Sequence, residues 1–501
     1  MTRQIPTSTD TLADQASVAS KEDAVLTRSI SNLTPDTATF KAIEARVLRK
    51  FDIIIIPCIC LCYLFSNLDK SNIGNAEAAG LSTDLGLTGN EYGNAVSLLF
   101  VTYVVFETPF ALMLKYVGIK LTLSSLMFCF GAVCLCTAFV TGYHSLLACR
   151  ILLGFFESGI MPIINVYLGM LYTRKEMAKR CSAVFSASAA AGAFGGLLAY
   201  GLIKINAHGW EGWRWLFAIE GALTLITCPV LVILLPNELT KIWWLTAEEK
   251  EVLKIRLSTY PDFYQDEKFS WSEVKRSLLD INNAFICCYE FCVDLTLFGI
   301  STFLPSIIRG MGYNKYATQL LTIPFYTVAF LSFIIVGYYS DKYRHRSGFL
   351  LAGLGFELIG YIVLVSADAL GARYFGCMMI GVGIYVCSAL SIMWANNNNA
   401  GHYKRATMGG MITSIGSCAG VLAGQIYTSD TAPRYLKGLR IALALTCVAF
   451  PLVLVTLWNY NRINKKREAL LKEKIKNGEV GDGEVNERPK DDRDIHFRFL
   501  L

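Results

Sequence analysis

The chain has 501 residues, of which 53% are hydrophobic and 17% charged, with a mean hydropathy of +0.42. Soluble domains carry about 25% charged residues, so this deficit excludes an ordinary soluble protein and points to an integral membrane one. The net charge of +6 is not a nucleic-acid signal, because the basic residues sit beside apolar stretches, where the positive-inside rule puts them.

A membrane-crossing helix needs about twenty mostly apolar residues. In chain order the first fifty residues are rich in Ser, Thr, Asp and Ala, with no apolar core of a signal peptide, and predict a disordered cytosolic tail over 1–50. Asn32-Leu33-Thr34 fits a glycosylation sequon that a cytosolic tail would leave unused. Six apolar stretches follow near 51–70, 91–113, 119–140, 144–172, 181–205 and 213–235, a first half over 51–235. A polar linker over 236–281 includes a capping-box pattern, Thr246 with Glu249, ahead of a short charged helix. Six more stretches lie near 283–309, 317–339, 347–366, 371–396, 406–427 and 438–460, a second half over 282–462, before a charged cytosolic tail over 463–501. The expected fold is therefore an all-α membrane protein of twelve spans. Basic residues before the first span (Lys41, Arg46, Arg49, Lys50), in alternate loops and after the last span (Arg462, Lys465, Lys466, Arg467) put both termini in the cytosol. Arg434, Lys437 and Arg440 depart from that bias.

The halves echo each other. Lys179-Arg180 opens KRCSAVFSASAAAGAFGGLLA, and Lys404-Arg405 opens KRATMGGMITSIGSCAGVLAG, so the fifth and eleventh spans hold equivalent places. Such duplication is a transporter signature, with the substrate site expected at midplane between the halves. The small residues there, including Gly192 and Gly196, are expected to allow close helix packing.

Charges inside spans are expensive and mark functional sites. Arg150 and Glu157 lie in the apolar stretch CRILLGFFESGIMP, seven residues apart, which is about two helical turns and one face. Asp69 and Lys70 stand at the end of the first span. An anion needs a cation in a dry site, which Lys70 and Arg150 supply, and a proton carrier needs a carboxylate whose protonation follows its surroundings. A purely architectural ion network is the competing reading. Glu290 and Asp294, one turn apart on the seventh span, either shape the cavity for a cationic or zwitterionic substrate or sit near its cytosolic entrance. Asn397 and Asn398 end the tenth span and either bond substrate or cap the helix. Glu107, Glu220 and Gln425 are expected to make structural bonds, and Glu357 has no evident partner.

Most of the sixteen cysteines lie in apolar runs and are expected to pack as small hydrophobes. The alternation of Cys58, Cys60 and Cys62 argues against a metal site. No HExxH, Walker A or nucleophile-elbow pattern occurs, so neither an enzyme nor a cofactor is expected.

Gly337 followed by YYSDKYRHR (Tyr338–Arg346) resembles the GxxxD(R/K)xxxR/K loop of the major facilitator superfamily, and Arg150–Gly154 fits its RxxxG. In that loop Gly337, Asp341, Lys342 and Arg346 are expected to form a charge latch that breaks as the halves rock. The first-half loop KYVGIK (Lys115–Lys120) lacks the aspartate. NLDKSNIGNA, RILLGFFESGIMP, GWRWLFAIEG, FLPSIIRGMGY, QLLTIPFYTVAF and NNNAGHYKRA look like the fungal allantoate and nicotinate permease branch of the anion:cation symporter family. The resemblance implies a major facilitator fold in two pseudo-symmetric six-helix halves. It implies a monomer in the plasma membrane, taking up a small organic anion such as nicotinate, allantoate, pantothenate or another carboxylate together with a proton. It assigns the coupling proton to Asp69 and Glu157, with Arg150 as their cation, and anion recognition to position 70, where Lys70 stands in place of the usual arginine. The first rival is an exporter of a drug or secondary metabolite, though Ala191–Gly196 has no Gly-Pro motif on the fifth span. The second is a nutrient sensor built on a transporter fold.

Overall fold

The structure is a computed structural model describing residues 37–205, 209–259, 270–343, 345–400, 402–477 and 492–501. Residues 1–36, with the sequon, and Arg344 lie outside the described residues. Among the described residues, twelve helices are long and apolar enough to cross a membrane. In order they are Ala38–Ala79, Glu91–Phe110, Ile119–Thr137, Tyr143–Leu171, Arg180–Leu202 and Gly212–Leu234, then Ile281–Arg309, Lys315–Tyr343, Arg346–Ser366, Leu370–Asn398, Tyr403–Ile426 and Leu436–Lys474. They are called here the first to twelfth spans.

The expected spans differ from these mainly at the two ends of the chain. The first begins at Ala38 rather than 51, and the last runs well past 460. Hydropathy marks only the lipid-facing core, whereas the Lys-, Arg- and Glu-rich flanks are strong helix formers that extend the same helix. Thr37 caps the first helix by accepting from the Phe40 amide at 3.3 Å, and Gly80, at φ 114°, ends it in the left-handed conformation. The fourth span is two segments, Tyr143–Glu157 and Ile160–Leu171, that meet at Ser158-Gly159. A side chain at 159 would lie 2.7 Å from Leu126 and 2.9 Å from Phe110, so only glycine fits the bend.

Spans one to six and seven to twelve form the two halves. The fifth span packs across against the eighth, and the eleventh against the second. These reciprocal crossings put the two copies of the Lys-Arg repeat in equivalent positions. Gly192 and Gly196 face Tyr326 and Thr322 of the eighth span, and Gly424 meets Gly93 of the second backbone to backbone. The expected packing role of these small residues holds.

An even number of spans returns both ends of the bundle to one side, called here the terminal face. At the opposite, far face the halves are bolted together. Gln319 donates to the Asn75 carbonyl at 3.0 Å, and Arg309 donates to that of Ala78. Asn90 donates to Gln425 at 2.7 Å, Gln425 to Asn94 at 3.0 Å, and Ser97 to the Val421 carbonyl at 2.6 Å. Behind them Tyr427 stacks on Phe303, and Tyr92 meets Phe303 edge-on. Among the described residues these bonds close the halves against each other at the far face.

That face is strapped half by half. The linker helix Ala247–Thr259 docks on the first half through Lys50–Glu249 at 2.7 Å and through Arg256, which holds Glu44 and Glu176. The helix Trp271–Leu279 docks on the second, where Glu273 accepts from the Tyr403 and Lys404 amides at the start of the eleventh span. The charged tail is not merely solvated at its end. Asn464 exchanges two 2.9 Å bonds with the Phe499 backbone, Trp394 donates to the Leu500 carbonyl at 2.8 Å, and Lys404 pairs with Asp492.

Candidate functional site

The first span carries an unusually polar run, Ser66-Asn67-Leu68-Asp69-Lys70-Ser71-Asn72. Neighbouring helical residues point in different directions, so Asp69 and Lys70 reach different partners. Asp69 faces Arg150 of the fourth span, with Nη1 to Oδ2 at 3.5 Å, and accepts from the Cys134 thiol of the third at 3.4 Å. Lys70 faces Glu157, with Nζ to Oε1 at 2.9 Å, and lies over the Tyr103 ring of the second span at 4.5 Å. Ser66 also donates to Glu157.

Arg150 and Glu157, though on one side of their helix, thus pair with the first span rather than with each other. The spacing predicts their common face, and the packing of the first span decides the pairing. Asp69, Arg150 and Glu157 are all buried, but the Lys70 side chain keeps 19% of its surface exposed. Of the four, Lys70 is the one that keeps contact with solvent.

The bonding is incomplete. Arg150 Nε and Nη2 and Glu157 Oε2 are buried without hydrogen-bond partners. The Arg150 guanidinium instead lies 5.6 Å from the Phe217 ring of the sixth span. Buried donors and acceptors left open are costly, which favours any rearrangement that bonds them.

Glu290 and Asp294 are also buried, and they are held by hydroxyls rather than cations. Ser388 donates to Asp294 at 2.9 Å and to Glu290 at 3.4 Å, and Ser391 donates to Glu290. They sit within the second half, with Asp294 against Gly416. Asn397 and Asn398 lie at the terminal end of the tenth span, outside the central cluster. Asn397 accepts from Arg346 at 2.9 Å, and Asn398 bonds the Leu500 backbone in both directions. Their amides are engaged by the protein itself. In the loop after the eighth span, Asp341 and Arg346 pair at 2.8 Å, whereas Lys342 lies at 5.9 Å from the Tyr343 ring and Gly337 has open space beside it. The Asp341–Arg346 pair is internal to the second half.

Ser66, Cys134, Ser388 and Ser391 were not singled out from the sequence. The one available signal was spacing: Ser66 and Asn72 stand three residues either side of Asp69, on the same helical face.

A family model of the Major Facilitator Superfamily matches residues 59–425. The chain belongs to the major facilitator superfamily. It is a multi-pass membrane transporter and not an enzyme. It is 38% identical over 457 residues to the high-affinity nicotinic acid transporter of Saccharomyces cerevisiae, covering 91% of this chain and 85% of that one. It is 36% identical over 469 residues to an uncharacterised transporter of Schizosaccharomyces pombe, covering 93% and 92%. Among solved structures this major facilitator resembles a bacterial homologue of the human lysosomal transporter Spinster, inward-facing and unoccupied, with a TM-score of 0.63 at 15% identity over 83% of this chain and 97% of that one. It resembles a D-xylose–proton symporter equally, with a TM-score of 0.63 at 13% identity over 81% and 96%. At those identities the likeness concerns the fold alone.

Proposed function

We propose that this transporter imports a small organic anion together with a proton, across the plasma membrane and as a monomer. It would belong to the allantoate and nicotinate permease branch of the anion:cation symporters. The observation that carries this reading is the crossed pairing of Asp69 with Arg150 and of Glu157 with Lys70. The 38% identity to a nicotinic acid transporter supports nicotinate or a similar carboxylate as the substrate. The basic residues at the terminal face support cytosolic termini, and the face where the halves are bolted together is then the outer one.

The chemistry follows from which groups can be reached. A substrate carboxylate entering the cavity competes with Glu157 for Lys70. Once displaced, Glu157 is a buried carboxylate without a cation, and such a group takes up a proton. Anion and proton therefore load together. When the anion leaves, Lys70 returns to Glu157 and the proton is released. Lysine suits this exchange because its ammonium is a point charge that changes partner without breaking a bidentate fork.

The test is radiolabelled nicotinate uptake into proteoliposomes under an imposed pH gradient. We expect proton-driven accumulation in the wild type. Glu157→Gln should lose it while retaining substrate exchange. Undiminished accumulation in that variant would remove Glu157 from the coupling, and outward proton-driven flux would favour the exporter.

A further inference from the structure

Glu220 of the sixth span is buried, at 2% exposure, beside the coupling cluster. Asn72, one turn beyond Asp69 on the first span, donates its Nδ2 to Glu220 Oε2. The other two atoms of this amide–carboxyl pair, Asn72 Oδ1 and Glu220 Oε1, are both buried and both lack a partner. Each is an acceptor as long as Glu220 is ionised. A single proton on Glu220 Oε1 supplies the donor that both atoms lack, and an O–H turned to Asn72 Oδ1 would close a two-bond ring between acid and amide.

Charge balance points the same way. Each cation of the cluster already has a carboxylate, Lys70 with Glu157 and Arg150 with Asp69. The charged and titratable groups tied to Glu220 from the neighbouring spans are Asp69 of the first and Cys134 of the third. Asp69 would repel a charge on Glu220. Arg150 of the fourth span is in this state engaged with Asp69 instead. It rests on Phe217, one turn before Glu220, with Nε and Nη2 unbonded.

We infer that Glu220 holds a proton in this state through the Asn72 amide, and that it is a further proton-coupling residue of the transporter, with Arg150 as its cation when that proton leaves. The inference rests on the proposed symport. In the step it adds, the Glu220 O–H bond breaks, the proton passes to water, and the carboxylate left behind is compensated by the free nitrogens of Arg150. With Glu157 also exchanging a proton, two protons accompany one monovalent anion, so uptake moves net positive charge and responds to membrane potential.

Glu220→Gln separates this role from a structural one, because an amide in that place makes both ring bonds with Asn72 but cannot ionise. The first measurement needs no substrate. Infrared difference spectra of the purified protein at neutral pH should show the carbonyl band of a protonated acid that disappears in Glu220→Gln. The band should move to higher frequency in Asn72→Ala, where the carbonyl loses its donor. The second measures nicotinate uptake into proteoliposomes with and without an inside-negative potential. The wild type should be stimulated several-fold, and Glu220→Gln should lose that stimulation while keeping uptake driven by the pH gradient. A carboxylate band in place of the acid band would overturn the assignment, as would potential-driven uptake that survives in Glu220→Gln. If nicotinate is not transported at all, the symport reading falls, and the infrared result still decides whether Glu220 holds a proton.

Discussion

The two halves share a fold but hold their buried charges differently. In the first, acids and bases from the first and fourth spans are paired across the helix interface, Asp69 with Arg150 and Glu157 with Lys70. In the second, Glu290 and Asp294 have hydroxyls for company and no cation. A duplicated scaffold has thus kept its packing devices in both copies, such as the reciprocal crossings of the fifth and eleventh spans, and placed mobile-charge chemistry in one. Ion pairs can exchange partners as charge arrives, whereas an acid bonded by serine has no competing cation to lose. On the proposed mechanism this difference would put anion and proton coupling in the first half and leave the second as the wall against which it rocks.

Replacing Arg150 by Met should break this contrast most severely. It leaves Asp69 as an uncompensated buried charge, a loss of about 3–5 kcal/mol for a broken buried pair. Initial-rate uptake, normalised to protein in the membrane, should fall by about 100-fold or more. Near-normal uptake would show that the crossed pairing is architectural.

Changing Glu290→Gln and Asp294→Asn together should do much less. Amide oxygens still accept from Ser388 and Ser391, and a neutral hydrogen bond differs from a charged one by only about 1–2 kcal/mol. Uptake of nicotinate should drop by less than about threefold in the same assay. A loss comparable to that of Arg150→Met would make the second half a partner in coupling.

The smallest effect concerns the strap on the first half. Burial pushes the Glu176 carboxyl up, but bonds from Arg256 and from the Thr173 amide outweigh it and hold the group below its usual 4.5. A lowered carboxyl contributes stability that is full above the unfolded value and is lost as pH falls through the folded one. Thermal melts should therefore drop on acidification below about pH 4.5. Arg256→Met should remove part of that dependence, by roughly a degree or two, because the pair is partly solvated. An unchanged acid profile would mean that the linker helix is held by packing alone.

How much of this could be read in advance varied by type of feature. Ten of the twelve spans were placed within a few residues, because lipid imposes a minimum apolar length that any sequence must show. The central residues Asp69, Lys70, Arg150 and Glu157 stood out because charge is rare at that depth. Their partners did not. Nothing in the chain says that Glu157 bonds Lys70 and not Arg150, or that Asn398 meets Leu500, since those contacts join residues far apart in sequence.

Composition and periodicity were enough to settle a membrane-embedded, twelve-span, internally duplicated chain with two acids and two cations on its first and fourth spans. Both depend on local chemistry, the apolar length a bilayer demands and the cost of burying charge. Which carboxylate faces which cation, that Lys70 alone of the four keeps contact with solvent, that the halves close at the far face, and that Asn72 and Glu220 leave a matched pair of acceptors all came from the packing of one span against another. They are relations between helices, fixed by side-chain direction and by glycines that let backbones approach, and no single stretch of sequence contains them.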